Sequence, residues 1–309
     1  MIKVQKVKKI ILLAGFWLLG SGPVMAFPDS GMAEDPGSTS TQKEALEYIS
    51  QLKELAPSST WPNIKPALFL QNLRSNITDP LSIYPGRGTN FCGYGALTYL
   101  ILQDDPLGYT KLLLQLYKEG KASFGRADFD PSFEVRQAAG TLRFKGILDI
   151  HPAEQMWFLC LADHFKGYLN IFNRKYDPGD EDRFWASVNY AKFNRMVRTL
   201  LNYKVDARGS DLLRPWIGNT YEYISEKLKT GTLVLYINNR ILHKKKLEKI
   251  KLAIPTHFII LQGISKVENT VTLVYWDYGG RTLLQLRPYF LKKIIFGISH
   301  CTKKEADEK

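Results

Sequence analysis

The chain has 309 residues, 45% hydrophobic and 23% charged, an ordinary globular composition with length for one large domain or two small ones. Three cysteines, Cys92, Cys160 and Cys301, exclude a disulfide framework, and no CxxC pair offers a metal or redox motif. The formal net charge of +12 favours anionic partners such as nucleic acid, phospholipid or cell-wall polymer. No aromatic-interleaved basic stripe or zinc-finger spacing marks a dedicated nucleic-acid binder.

In chain order, Lys3, Lys6, Lys8 and Lys9 form a basic leader, followed by an apolar run from Ile10 to Leu19 and by Val24-Met25-Ala26. This is the pattern of a signal peptide cut after Ala26, residues 1–26. The apolar run is about half of the ~20 residues that span a bilayer, so a permanent anchor is not expected. No later segment is apolar enough to span either. The expected location is therefore periplasmic or extracellular. The leader's four lysines are unopposed by acids, so a chain cut after Ala26 keeps +8 of the +12. Residues 27–40, rich in Pro, Gly, Ser and acids, read as a flexible linker.

Thr41-Gln42-Lys43-Glu44 has capping-box spacing and opens a helix whose apolar face is Ala45, Ile49, Leu52 and Leu55. A short helix over Ala67–Leu73 follows. Gly88-Thr89-Asn90-Phe91-Cys92-Gly93-Tyr94-Gly95 then sets a cysteine where a glycine-rich loop turns into a helix running to Leu102. Helices are expected from Pro106, over Pro131–Arg143, over Pro152–Phe172 and over Asp182–Tyr203. Residues 103–215 thus read as almost wholly helical. Asp104-Asp105 reads as a cap, and Trp157, Phe158, Phe165 and Tyr168 as helix packing.

After a last helix over Tyr221–Leu228 the period changes. Thr232–Ile237, His257–Leu261 and Thr270–Trp276 read as strands, with further strands at Thr282–Leu286 and Ile294–Ile298. Helices followed by a strand meander make an α+β protein. The basic run from His243 to Lys251 is either a solvated hairpin tip or a contact for an anionic surface. Residues 302–309 are a charged tail.

A cysteine acts as a nucleophile only as thiolate, which a helix N-terminus and a neighbouring imidazolium both favour. Cys92 stands at such a start. His257 opens a strand and Asp277 closes the next, so antiparallel pairing brings both to one end of the sheet, base and orienting group together. Taken singly, Cys92 is equally a buried apolar thiol, His257 a core histidine and Asp277 a turn residue of Asp-Tyr-Gly-Gly. Cys160 and Cys301 read as buried thiols, a bridge between them being the alternative. No HExxH spacing appears, and His151, Asp163 and His164 read as cap and surface positions, so neither a metal nor another cofactor is expected. Gly86-Arg87-Gly88 lacks the strand and the Gly-Lys-Ser/Thr of a phosphate loop.

NFCGYGALTYL resembles the nucleophile helix of papain-like cysteine peptidases. THFIILQGI and VTLVYWDYGG resemble their histidine strand and the following Asp/Asn strand, most closely in the double-glycine type. The resemblance covers the Cys92 helix and roughly residues 220–290, within a domain of residues 41–301. It implies a papain-like α+β fold, with the Cys helix in the N-terminal part and His and Asp on the C-terminal antiparallel sheet; it says nothing about the large helical region, residues 103–215, between them. It also implies Cys92 as nucleophile, His257 as general base and acid, and Asp277 as its orienter. The expected function is an exported, bacterial-type thiol hydrolase acting on peptides, proteins or cell-wall peptides through an acyl-enzyme. Acyl transfer or deamidation by the same triad, and a non-catalytic module on the same scaffold, are the alternatives. The family places a glutamine about six residues before the cysteine, where this chain has Gly86. Asn90 is the candidate oxyanion donor, a turn residue being its other role.

Overall fold

The computed structural model describes residues 38–52, 54–86, 88–142, 150–166, 175–238 and 255–304. The leader, most of the linker, the basic run 243–251 and most of the tail lie outside them. The fold is α+β. Among the described residues there are nine α-helices, a two-stranded hairpin and a six-stranded sheet, both antiparallel. None of these helices is long and apolar enough to cross a membrane.

Of the first four helices, those opening at Gln42 and Pro106 start with side-chain caps and those opening at Pro66 and Cys92 do not. Helix α1 (Gln42–Ser50) starts with the full capping box between Thr41 and Glu44. Helix α2 spans Pro66–Thr78 and α3 spans Cys92–Asp104. Helix α4 (Pro106–Glu119) is capped by Asp105, which accepts from Gly108 N at 2.9 Å, and ends at left-handed Gly120. The neighbouring Asp104 is not a cap: its carboxylate meets Lys303 Nζ at 2.5 Å and ties α3 to the last strand.

The stretch 103–215 is less helical than its sequence suggests. Strands β1 (Ala122–Phe124) and β2 (Ala127–Phe129) form a hairpin whose turn carries Gly125 at φ +58°. Helix α5 covers only Phe133–Ala138, α6 covers Pro152–His164 and α7 covers Tyr190–Leu200. Helix α7 starts eight residues later than expected because Asn189 supplies the cap, accepting from Lys192 N at 2.7 Å. Strand β3 (Tyr203–Gly209) follows, then α8 (Thr220–Leu228). Strand β3 alternates only weakly, with Lys204, Asp206 and Arg208 on its exposed side. Its partner is the last of the described strands, nearly a hundred residues on, so pairing and not local pattern makes it a strand.

The main sheet runs β3-β8-β4-β5-β6-β7, with β4 (Thr232–Ile237), β5 (His257–Val267), β6 (Thr270–Asp277), β7 (Gly280–Leu286) and β8 (Ile295–Lys303). Helix α9 (Pro288–Ile294) sits between β7 and β8. The central strands are buried on both faces, which is why they read as continuous apolar runs. Val234, Tyr236, Phe258, Ile260 and Trp276 join the larger core with α3 and α7. Leu233, Leu235, Ile259 and Leu273 join a second core with α8 and α9. Helix α3 is buried almost all round, from Gly93 to Leu102, and Tyr99 stacks on Trp276 at 5.5 Å. Cys160 and Cys301 are free, buried thiols, and Cys92 is free and half-buried.

Candidate functional site

The site assembles where α3 starts and β5 begins. The residue before the helix, Phe91, makes no side-chain cap, and the first intrahelical bond is Gly95 N to Phe91 O at 2.9 Å. The first-turn N–H groups, that of Cys92 included, therefore have no intrahelical acceptor, and the helix dipole favours negative charge beside them. Gly93 permits the approach of the segment before α7: a Cβ there would stand 2.7 Å from Val188 Cβ.

Strand β5 delivers His257. Thr256 N donates to Ile237 O at 2.9 Å, and His257 then pairs with Ile237. In the β5–β6 register Ile260 faces Trp276, so Asp277 lies diagonally across from His257 on the same side of the sheet. His257 Nε2 donates to Asp277 Oδ1 at 2.5 Å, with His257 fully buried and the Asp277 side chain nearly so. Nδ1 of the same ring is buried and has no hydrogen-bond partner. The Cys92 thiol lies against this strand entry, its Sγ 3.7 Å from Thr256 O.

Electrostatics at the ring are a contest. Burial lowers the His257 pKa, but the hydrogen bond to Asp277 and the interaction with Cys92 outweigh it and raise the pKa to about 9. Strands β6 and β7 join through a two-residue turn, Tyr278 at φ +43° and Gly279 at φ +81°, the pattern of a type I′ hairpin. Tyr278 is thereby folded over His257, ring centroids 4.4 Å apart and planes 12° apart. Burial, then Cys92 and Asp277, pushes the Tyr278 pKa upward.

Comparison with known proteins returns no match to this chain, whether among family models, curated proteins or solved structures.

The structure brings Cys92, His257 and Asp277 to one place, from a helix start and two strand ends. Asn90 is nearby in sequence but differently engaged. Its Nδ2 donates to Arg183 O at 2.9 Å and its N–H to Glu181 O at 2.7 Å, strapping the cysteine loop to residues 181–183. Gly86, at φ +82°, packs against Ile150, where a Cβ would meet Cδ1 at 2.7 Å.

Two further features escape the sequence reading. One is the Tyr278 stack; the Asp-Tyr-Gly-Gly turn was legible, but not what its tyrosine covers. The other is Lys192, buried in α7, whose Nζ donates to Tyr94 Oη at 2.7 Å and Ser187 O at 3.2 Å just behind the start of α3. Burial first, and Arg195 second, lower its pKa to about 7. A signal existed: Lys192 shares one helix face with Met196, on an otherwise apolar stripe.

Proposed function

We propose that the chain is an exported cysteine-dependent hydrolase of papain-like kind, cleaving peptide or amide bonds with Cys92, His257 and Asp277. The observation that carries this reading is the buried His257 ring. Asp277 holds Nε2, Nδ1 is left without a partner, and a thiol at a helix start lies beside the strand that bears it.

In the proposed reaction the Cys92 thiol gives its proton to His257 Nδ1, and the sulfur adds to the substrate carbonyl carbon. The tetrahedral intermediate collapses with cleavage of the C–N bond, and the imidazolium proton goes to the leaving amine. His257 then takes a proton from water, whose oxygen adds to the thioester and releases acid and free thiol. The donor at hand for the oxyanion is the main-chain N–H of Cys92 at the uncapped start of α3. An amine taking the place of that water would give acyl transfer through the same acyl-enzyme. Cell-wall peptides and proteins are the substrates that a basic exported chain would meet.

The engagement of Asn90 with Arg183 favours a second reading, a non-catalytic module on the same scaffold, since it leaves the family's side-chain oxyanion donor without an equivalent. Alkylation separates the two. Iodoacetamide at neutral pH should label Cys92 faster than a free cysteine, and His257→Ala should abolish the difference. Labelling at the free-cysteine rate, unchanged by His257→Ala, would remove the enzyme reading. Full biological activity in Cys92→Ser would support the module.

A further inference from the structure

The loop between β3 and α8 carries a surface that the hydrolase reading does not use. Leu212 is 81% exposed, Leu213 73% and Trp216 98%, three large apolar side chains within five residues. The four other tryptophans among the described residues, Trp61, Trp157, Trp185 and Trp276, are all at most 4% exposed, so Trp216 stands apart from the chain's own habit.

The loop is held in shape. Ser210 Oγ accepts from Leu212 N at 3.2 Å and Leu213 N at 2.8 Å, and Ser210 N donates to Leu213 O at 3.0 Å. Pro215 and Ile217 turn inward, which sends Trp216, between them, outward. Arg214 Nε donates to Lys293 O at 3.0 Å, pinning the loop to the end of α9. That contact adds Tyr289, 65% exposed, with Lys293 Nζ 4.2 Å from its ring centroid. Lys292 is exposed beside it.

The exposed charges of the loop and of α9 are basic. Arg214 stands within the apolar tip and Lys292 and Lys293 on the helix it is pinned to, while the loop's single acid, Asp211, turns back to accept from Tyr190 N at 2.8 Å. A protruding Leu-Leu-Arg-Pro-Trp tip with a flanking tyrosine and a cationic rim matches a bilayer interface. Tryptophan and tyrosine settle at the headgroup level, leucines enter the acyl boundary, and lysine and arginine meet anionic headgroups.

We propose that the 210–218 loop, with the exposed side of α9, docks the protein on an anionic phospholipid surface. This rests on the patch alone and not on the chemistry at Cys92.

The test is sedimentation of the full chain with vesicles of phosphatidylglycerol and phosphatidylcholine, and with vesicles of phosphatidylcholine alone. Binding to the anionic vesicles is expected, falling at least tenfold in Leu212→Ser/Leu213→Ser/Trp216→Ser. Lys292→Gln/Lys293→Gln should remove most of the preference for anionic lipid. Trp216 emission, taken as the difference between the chain and Trp216→Phe, should shift to the blue on anionic vesicles. The replaced side chains are solvent-exposed, and unchanged thermal midpoints will exclude a folding defect. Binding that persists undiminished in the triple variant belongs to another part of the chain, the leader included, and overturns the proposal. So does failure of the wild-type chain to bind either vesicle.

Discussion

Tyr278 lies nearly flat on His257 and does so from a left-handed backbone conformation, φ +43°. Left-handed geometry is unfavourable by ~1–2 kcal/mol for a residue with a side chain, while a stacked aromatic pair returns about 0.5–1.5 kcal/mol. The two terms nearly cancel, so the cost of Tyr278→Gly should come from the lost burial of a partly buried ring, about 1–2 kcal/mol. The same substitution opens the His257–Asp277 bond to water, and alkylation of Cys92 should slow several-fold. Tyr278→Phe should keep the wild-type alkylation rate. Parallel urea unfolding and iodoacetamide kinetics on the three proteins test this; equal rates in all of them would make the stack purely structural.

Asp277→Asn should lower the His257 pKa and slow the proposed hydrolysis by at least ~10²-fold, the low end of what general acid–base catalysis contributes. His257 is more basic folded than unfolded, about 9 against an ordinary ~6.5. The stabilisation this brings is complete below pH ~6.5 and is lost as pH rises through about 9. The stability gap between wild type and Asp277→Asn should therefore narrow from pH 6 to pH 9.5, as read by urea unfolding at the two ends.

Lys192 has the opposite sign. Its folded pKa, about 7, lies below the 10.5 of an unperturbed lysine, so the unfolded chain binds the extra proton between those values. Wild-type stability gains from this group as pH climbs from about 7 to 10. Lys192→Met lacks that gain, so its deficit relative to wild type should widen over the same range. A deficit that stays constant would mean that Lys192 titrates normally.

Gly93→Ala should cost about 1–3 kcal/mol, the range for forcing a methyl into a packed interface, because the new Cβ meets Val188 at 2.7 Å. Adding Val188→Ala should recover part of the loss. A double-mutant cycle by chemical denaturation measures the coupling, and strict additivity would place the strain elsewhere.

The cysteine, the histidine and the aspartate were legible in the sequence because each sits at a local change of texture: a glycine loop entering a helix, the start of an apolar run, the end of another. Pairing of the two strands then follows from antiparallel geometry. What stayed hidden depends on distant partners. Strand β3 carries charge at every other position and exists because β8 covers its edge. Asn90 has the chemistry of an oxyanion donor, yet a carbonyl 93 residues downstream takes its amide. Lys192 sits on an otherwise apolar helix face, but its partner Tyr94 lies 98 residues away in the chain.

The strap from Asn90 to Glu181 and Arg183 has a consequence for when the site comes into being. The loop before Cys92 is held by a segment about 90 residues later, and His257 and Asp277 arrive after a further 75 to 95 residues. Contacts of such sequence separation form late, after the local helices. A chain emerging N-terminus first would therefore carry Cys92 without His257 beside it until the β5–β6 hairpin is complete. The order of the elements along the chain thus acts as a timer, keeping the thiol apart from His257 until both strands of that hairpin have been made.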